Sequence, residues 1–326
     1  MFKALVLEQQ DKRTLSSVQQ LEDSQLPDNN VIISVNYSSL NFKDGLAITG
    51  KGKIVRQFPM VPGIDLSGEV LSSKDARYQP GDQVVLTGWG VGESHWGGMA
   101  EKASLNADWL VPQPKGIDGK QAMMIGTAGL TAMLCVQALQ DAGVTPDKGP
   151  VLVTGASGGV GSVAVTLLSQ LGYRVSALTG RAADNTALLT SLGANEVIDR
   201  HVFEEPARAL EKQVWAGVVD TVGSKILAKA LAQVDYDGAV AACGLAGGFD
   251  LPTTVMPFIL RGVKLIGIDS VMCPFEKRQA AWQRIVELLP AKYYEQACQE
   301  ITLDQVAECA EAITQGQITG RVVIKL

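Results

Sequence analysis

The stretch VLVTGASGGVGSVAVTLLSQLGYRVSALTGR, residues 151–181, restricts the possible folds of this chain more than any other. Four β-prone apolar residues lead into a glycine-rich turn, an apolar run follows at 163–171, and a second β-branched segment begins at Tyr173. This order predicts a strand, a tight turn, a helix and a strand. Glycines in such a turn let the backbone approach a pyrophosphate closely, and the helix N-terminus faces its negative charge. We therefore predict a dinucleotide site at Ser157, Gly158, Gly159 and Val160.

The glycine pattern departs from the usual G-x-G-x-x-G fingerprint, because Ala156 stands where the first glycine would be. A glycine pattern alone is weak evidence, but a strand before it and a helix after it strengthen it considerably. The alternative is an ordinary strand-to-helix turn that binds nothing.

The residues after the second strand indicate which dinucleotide binds. NAD-binding units place Asp or Glu about 20 residues after the glycines, where it contacts the ribose hydroxyls. Here the segment ends with Thr179, Gly180 and Arg181, and the first acid is Asp184. Because arginine holds phosphate oxygens with a planar fork, we predict NADP(H), with Arg200 reaching the same adenosine end. The alternative is that Arg181 and Arg200 are solvated surface charges.

Length and charge narrow the class of protein. A chain of 326 residues predicts two domains, and a net charge of −6 argues against nucleic acid or an anionic membrane as a partner. We expect no window with the roughly 18 apolar residues that a membrane helix needs. The apolar part of the N-terminus is too short for a signal peptide, so we predict a soluble cytoplasmic protein.

The cysteines and histidines give no sign of a metal site or a disulfide framework. The five cysteines are scattered and lack C-x-x-C spacing, which fits a reducing compartment. Neither His95 nor His201 has partners in a metal-binding pattern. We therefore predict no metal.

The secondary structure that the sequence pattern predicts changes near residue 118. Before it, short strands and glycine turns with little helix predict a compact, barrel-like β domain. Residues 120–139 favour a helix broken by Gly126 and Gly129. From residue 151 onward strands alternate with helices, which predicts a parallel sheet wrapped by helices. We place strands near 151–154, 173–178, 195–198, 217–222, 238–243 and 263–268, helices near 159–171, 184–192, 225–233, 276–288 and 303–315, and a last strand at Arg321–Lys325.

Several segments together resemble the zinc-independent quinone-reductase branch of the medium-chain dehydrogenase/reductase superfamily, and within it the acryloyl-CoA reductases. The segments are NFKD at 41–44, AITGKGK at 47–53, PGID at 62–65, PGDQV at 80–84, LTGWGVG at 86–92, HWGG at 95–98, ASGGVG at 156–161 and LPTTVMPFILR at 251–261. The resemblance implies an α/β fold: a Rossmann-type doubly wound parallel sheet at 123–272, and a β-rich GroES-like barrel domain at 1–122 and 273–326. It also implies that nicotinamide and substrate meet between the domains.

The chain departs from the zinc alcohol dehydrogenases of the same superfamily. Residues 41–44 stand where those enzymes carry a catalytic cysteine, and Gly63-Ile64-Asp65 stands where they carry Gly-His-Glu. Their four-cysteine lobe is absent. A tetrahedral zinc site lacks its thiolate and imidazole ligands, so alcohol oxidation through a metal alkoxide is not expected.

Hydride addition to a carbon–carbon double bond conjugated with a carbonyl suits NADPH in a metal-free site, because it needs positioning and a few donors rather than a Lewis acid. We predict hydride transfer to the β-carbon of acryloyl-CoA, protonation of the α-carbon and release of propionyl-CoA. The proton donor stays open between water and a side chain.

The resemblance also assigns site residues. Asn41 and Asp44 are predicted to act in catalysis by ordering the nicotinamide ribose, its carboxamide or the substrate oxygen; the alternative is a turn that satisfies its own backbone. Asp65 stands where the zinc relatives have a ligand, and for this residue a purely structural hydrogen-bonding role is an equal alternative to a role in the site. The alternative for the segment around Thr127 is helix packing, and for Arg321 a surface salt bridge. Besides the residues named above, cofactor contacts are predicted at Phe42, Thr127, Thr131, Thr221, Val222, Leu245, Ala246, Ile268, Ser270 and Arg321.

Lys51, Lys53 and Arg56 form a basic loop in an acidic protein. Because CoA carries a 3′-phosphate and a diphosphate, we expect these cations to dock a CoA thioester. Flexible surface charges are the alternative.

Two other functions share the predicted cofactor residues: an NADPH:quinone or general enone reductase, and a nonenzymatic NADPH-binding protein. The family usually forms homodimers through an edge strand, here residues 263–268, although a monomer stays open.

Overall fold

The computed structural model describes residues 1–326, which form two compact units. The first unit contains Met1–Thr127, Ser270–Val286 and Cys298–Leu326; the second contains Ala128–Asp269 and Glu287–Ala297.

Strands and helices are numbered here in chain order. The strands are β1 (Phe2–Gln10), β2 (Arg13–Leu21), β3 (Val31–Leu40), β4 (Asp65–Ser73), β5 (Gln83–Thr87), β6 (Lys102–Leu105), β7 (Leu110–Pro112), β8 (Val151–Thr154), β9 (Val175–Thr179), β10 (Glu196–Asp199), β11 (Trp215–Asp220), β12 (Val234–Ala242), β13 (Lys264–Gly267), β14 (Cys298–Thr302) and β15 (Arg321–Lys325). The α-helices are α1 (Phe42–Thr49), α2 (Gly119–Asp141), α3 (Gly159–Gln170), α4 (Ala182–Ser191), α5 (Ser224–Gln233), α6 (Met256–Arg261), α7 (Phe275–Leu288), α8 (Ala291–Gln296) and α9 (Val306–Thr314).

The second unit is built on a six-stranded parallel sheet in the order β10-β9-β8-β11-β12-β13. The strand order reverses between β8 and β11, which is the doubly wound arrangement of dinucleotide-binding folds. Its core consists of the apolar faces of the strands against α5, with Leu152, Val218 and Val240 fully buried. The predicted Rossmann-type sheet is confirmed, and β10 and β13 are its two edge strands.

The first unit is β-rich, as predicted for a GroES-like domain. A seven-stranded sheet runs in the order β14-β15-β3-β4-β5-β7, with β6 paired to β3, and β1 and β2 form a separate hairpin. β15 lies antiparallel to β3, so the C-terminal tail completes this unit.

Helix α1 was not predicted from the sequence, which offered only a turn as the local structure around Asn41 and Asp44. Asn41 and Asp44 instead form a capping box, in which each side chain binds the backbone N–H of the other, and the helix runs to Thr49. The N-x-x-D spacing was the available signal. The predictions also lacked strands β2, β7 and β14 and helices α6 and α8. Gly129 does not break α2, whereas Gly126 has non-helical dihedrals.

The expectation that no segment is long and apolar enough to cross a membrane is wrong for α2. By length and composition alone, this 23-residue helix is long and apolar enough to cross a membrane. Of its most apolar 18-residue window, 83% is buried inside the folded chain, which is how the core helix of a globular protein also behaves.

Candidate functional site

The first candidate cluster surrounds the start of α1. Asp44 is buried, and its carboxylate accepts four N–H donors: Asn41 N at 2.9 Å, Asn41 Nδ2 at 3.2 Å, Gly63 N at 3.2 Å and Ile64 N at 3.0 Å. These bonds tie the first turn of α1 to the Gly63–Ile64 backbone. Asp44 therefore positions the helix start through contacts inside the protein.

Burial raises the pKa of Asp44 from 3.8 to about 7, and the negative charge of Asp65 acts in the same direction, whereas the hydrogen bonds to Asn41 and Ile64 oppose the shift. The folded chain therefore holds a proton at Asp44 more readily than the unfolded chain does between these two values. The contribution of Asp44 to stability accordingly falls as the pH rises from about 4 to 7.

Asp65 and Arg321 lie at the centre of the same cluster. The Asp65 carboxylate accepts Ser39 Oγ at 2.8 Å, Asn41 Nδ2 at 3.0 Å and the Thr127 N–H at 2.7 Å. Arg321 donates Nη1 to Asn41 Oδ1 at 3.0 Å and Nη2 to Ser39 Oγ at 2.6 Å. Burial raises the pKa of Asp65, and the positive charge of Arg321 opposes that shift. Because Arg321 is only 2% exposed, the alternative of a surface salt bridge is wrong.

The Asn41 side chain is hydrogen-bonded inside the protein at both atoms of its amide. Its Nδ2 donates to Asp44 and Asp65, and its Oδ1 accepts from Arg321, so the orientation of the amide is determined by the protein. The amide nitrogen is committed to these carboxylates, and Oδ1 accepts both the Arg321 guanidinium and the Asp44 N–H of the capping box.

Gly126 closes the cluster from the side of α2. Its dihedrals are φ 52° and ψ −159°, and a Cβ there would lie 2.5 Å from Asp65 Oδ2 and 2.7 Å from Arg321 Nη2. Only glycine adopts this conformation without strain, and only glycine leaves room for the Asp65 carboxylate and the Arg321 guanidinium. The break in α2 therefore lets the Thr127 N–H reach Asp65.

The second candidate cluster, in the other unit, begins with the glycine turn before α3. A Cβ on Gly155 would lie 2.3 Å from Thr221 Oγ1, and one on Gly161 would lie 2.3 Å from the Gly155 carbonyl oxygen. Gly158 is the N-cap of α3, and a Cβ there would meet only the Gly155 oxygen, at 3.3 Å. The N–H groups of the first turn of α3 thus open toward space that a pyrophosphate fits.

The predicted adenosine-end residues come together next to this turn. Ser157 Oγ lies 2.9 Å from Thr179 Oγ1, which also accepts the Arg181 N–H at 3.3 Å. The Arg200 guanidinium lies against Gly180, where a Cβ would be 3.0 Å from Arg200 Cζ. Two arginines and two hydroxyls without an acid among them form a donor set that fits a 2′-phosphate.

The C-terminal ends of β11, β12 and β13 carry further predicted residues. Thr221 Oγ1 donates to the Thr154 carbonyl at 2.9 Å, and the Asp220 carboxylate accepts from Thr154 Oγ1 and from the Gly223 N–H. An open cavity of about 500 Å³ includes Leu245 and Ile268 among its lining residues. Cys243 lines it as well and was not predicted. Its position after a buried strand was the signal that could have found it.

The remaining predicted residues are distributed between the two units. Phe42 lies in the first turn of α1, and Thr127 and Thr131 are buried in α2. Val222 accepts the Gly247 N–H beside Ala246, and Ser270 is buried in the first unit.

The basic loop after α1 is not uniform. Lys51 Nζ lies 2.5 Å from a Glu311 carboxylate oxygen and 3.0 Å from Thr314 Oγ1, so its charge is already paired. The Lys53 and Arg56 side chains are exposed. The structure contains no group of three or more His, Cys, Asp or Glu side chains placed to hold a metal ion.

Comparison with known proteins places these clusters in a family. The alcohol dehydrogenase GroES-like domain matches residues 27–115, and the zinc-binding dehydrogenase domain matches residues 159–289. The probable acrylyl-CoA reductase AcuI of Escherichia coli is 60% identical over 325 residues and covers 100% of both chains. The acrylyl-CoA reductase AcuI of Ruegeria pomeroyi is 52% identical over 99% of each chain.

A solved structure agrees with these matches. The crystal structure of YhdH from Escherichia coli K-12 with bound NADPH is 61% identical and covers 99% of each chain, with a TM-score of 0.97. The chain therefore belongs to the medium-chain dehydrogenase/reductase superfamily and, within it, to the family of the acrylyl-CoA reductases AcuI.

Proposed function

We propose that this protein reduces acryloyl-CoA to propionyl-CoA with NADPH. The substrate is assigned from the full-length sequence identity of 60% and 52% to two relatives named acrylyl-CoA reductase. The cofactor is supported by the bound NADPH of a solved relative and by the donor set at Ser157, Thr179, Arg181 and Arg200.

The second unit supplies cofactor binding. When bound, the reduced nicotinamide provides a hydride for the β-carbon of the thioester. The first-turn N–H groups of α3 bind the pyrophosphate, and Arg181 and Arg200 bind the 2′-phosphate, which NAD lacks. Thr221, Val222, Leu245, Ala246 and Ile268 border the cofactor at the carboxyl ends of the strands. This division assigns residues 123–272 to the cofactor and residues 1–122 and 273–326 to the substrate.

The cluster around α1 acts by orientation. Arg321, Asp65 and Asp44 hold the Asn41 side chain in one orientation, beside which a cofactor or substrate hydroxyl is ordered. Fixing such a group before the substrate binds lowers the cost of ordering it in the transition state. Asn41 is therefore the catalytic residue of this cluster, and Asp44, Asp65 and Arg321 are positioning residues.

The protein acts as a cytoplasmic homodimer in this proposal. β13 is one of the two edge strands of its sheet, and the apolar side chains of Ile259, Leu260 and Leu265 are 71%, 51% and 38% exposed. An exposed edge strand with apolar neighbours suits pairing with a second copy. The mass in solution, compared with 34.6 kDa for one chain, tests this assignment.

An NADPH oxidation assay tests the proposed function. We expect kcat/KM for acryloyl-CoA to exceed that for a naphthoquinone by about 100-fold, because the thioester adds several charge-assisted contacts to the shared hydride chemistry. Equal values, or a preference for the quinone, would make the protein a general quinone or enone reductase. Tight NADPH binding without turnover of any activated alkene would leave only a binding function.

A further inference from the structure

A single arginine, Arg278, joins two other segments of the first unit to α7. The residue is fully buried, at 0% exposure. Its Nη1 donates to the Thr87 carbonyl at 2.5 Å and to Thr87 Oγ1 at 2.7 Å. Its Nη2 donates to the carbonyl oxygens of Ser270 and Val271, each at 3.1 Å, and of Cys273 at 3.3 Å. One guanidinium therefore fixes the end of β5 and the segment before α7.

Trp89, which lies just after the end of β5, is held in an unfavourable conformation. Its φ is 58°, a left-handed value that strains a bulky side chain. Its indole N–H is buried without a hydrogen-bond partner, which adds a second cost. The Trp89 backbone N–H donates to the Val271 carbonyl at 3.0 Å, and the Arg278 guanidinium lies over the ring, 4.9 Å from its centroid. Strain of this kind persists where the surroundings impose it, and it is concentrated at functional sites.

The loop that contains Trp89 lies against the backbone that binds Asp44. Gly88 follows directly on the strand end that Arg278 holds, and its N–H donates to the Ile64 carbonyl at 3.0 Å. The Ile64 N–H donates to Asp44 Oδ1 at 3.0 Å, and Asp44 accepts the Asn41 amide at 3.2 Å. A short series of hydrogen bonds thus leads from the guanidinium to the Asn41 side chain.

Arg278 contacts a second site residue directly. Its Nη2 holds the carbonyl of Ser270, for which a cofactor contact is predicted. Gly88 lies against the same segment: a Cβ on it would be 2.8 Å from the Val271 carbonyl oxygen and 3.3 Å from that of Ser270, and its φ is 85°. Only glycine allows this approach without strain. The contacts of Arg278 therefore keep Ser270 and the backbone that supports Asn41 in one fixed arrangement within the first unit.

We propose that Arg278 is a positioning residue for hydride transfer. It acts on Asn41 through the Gly88–Ile64 contact, and it acts directly on the Ser270 backbone. This inference rests on the proposed function, because it concerns the reaction that Asn41 serves. A guanidinium suits the task, since its planar fork binds several fixed acceptors at once, whereas the lysine ammonium is a point charge on a flexible stem. A misplacement of about 1 Å in the reacting groups costs up to about 100-fold in rate.

Single-turnover kinetics distinguish positioning from support of the fold. Protein with bound NADPH is mixed with saturating acryloyl-CoA, and the oxidation of NADPH is followed by absorbance. The rate constant then reports the hydride step, and the amplitude reports the fraction of protein that is active. Arg278→Lys is expected to lower the rate constant about tenfold and to keep the amplitude, because the charge stays while the fork is lost. A merely structural role would lower the amplitude or the Tm and leave the rate constant unchanged.

Arg261→Lys is the matched control. Arg261 is half-buried in the second unit and also donates its guanidinium to backbone carbonyls, those of Ala232, Val234 and Glu211, at 3.0, 3.1 and 2.6 Å. None of these residues has a predicted role in the site. The substitution should lower the Tm, because it removes hydrogen bonds, while the rate constant changes less than about twofold.

A double-mutant cycle tests the route through Asp44. If Arg278 acts through this carboxylate, the rate constant of Asp44→Asn/Arg278→Lys should fall by less than the product of the two single losses, whereas independent residues give the product. Should Arg278→Lys not fold, Thr87→Val takes its place in both experiments. It removes only the Oγ1 acceptor and should lower the rate constant about threefold.

The outcomes separate this inference from the proposed function. An unchanged rate constant in Arg278→Lys or its replacement, an equal fall in Arg261→Lys, or losses that multiply in the cycle overturn the inference while the proposed function stands. If the wild type oxidises NADPH with a naphthoquinone but not with acryloyl-CoA, the proposed function has failed, and the same rate constants measured with the quinone decide the inference. A wild type that oxidises NADPH with neither substrate rejects both.

Discussion

Replacing Arg321 with methionine is expected to lower the free energy of unfolding by about 3–5 kcal/mol, because the change leaves the buried Asp65 carboxylate without a cation. The Asn41 amide also loses the donor that fixes its Oδ1. We therefore also expect kcat/KM of the folded variant to fall, because Asn41 is no longer held in one orientation. Denaturation followed by circular dichroism and steady-state kinetics measure the two effects.

The loss of stability in Arg321→Met should depend on pH. Without the guanidinium, burial raises the pKa of Asp65 further, so the folded chain binds a proton that the unfolded chain has released. Stability then falls as the pH rises, and the deficit relative to wild type should be smaller at pH 5 than at pH 8. Arg174→Met, at an exposed arginine, is the control and should cost less than about 0.5 kcal/mol. An equal loss in both variants would refute the role of Arg321.

Gly180→Asp is expected to reverse the cofactor preference. A Cβ at this position lies 3.0 Å from Arg200 Cζ, so the new carboxylate would pair with Arg200 and repel a 2′-phosphate. Losing one or two charge-assisted contacts and adding repulsion should lower kcat/KM for NADPH about 100-fold. The value for NADH should hold or rise, since an acid at the end of the second strand suits the ribose hydroxyls.

Arg200→Met is the matched variant for this prediction. It removes the cation without adding an acid, so it should weaken the binding of NADPH about tenfold and leave the binding of NADH unchanged. If Gly180→Asp lowers kcat/KM for NADPH and for NADH equally, the change has disturbed the fold around β9, and the 2′-phosphate is bound elsewhere.

The doubly wound sheet could be predicted because its signals are local. Each strand from β8 to β13 is a short apolar segment next to a helix of recognisable period, and Gly158 and Gly161 mark the turn at which α3 begins. The grouping of Thr179, Arg181 and Arg200 followed from the same logic, since all lie at or just beyond the ends of neighbouring strands.

The Asn41 cluster could be predicted only in part, because its contacts join distant segments. Ser39, Asp65 and Arg321 are separated by 26 to 282 residues in the chain, and no local pattern pairs them. Similarly, Lys51 looked like a free cation until the fold brought Glu311 to it. Sequence supplies the residue types, whereas the tertiary fold decides which charges are already neutralised.

Deuterium transfer tests the central claim most directly. NADPH that carries two deuterium atoms at nicotinamide C4 is incubated with the protein and acryloyl-CoA, and the product is examined by NMR and mass spectrometry. Reduction as proposed places one deuterium on the β-carbon of propionyl-CoA and takes the α-hydrogen from solvent. Deuterium at the α-carbon, or no propionyl-CoA while NADPH is bound, would contradict the account.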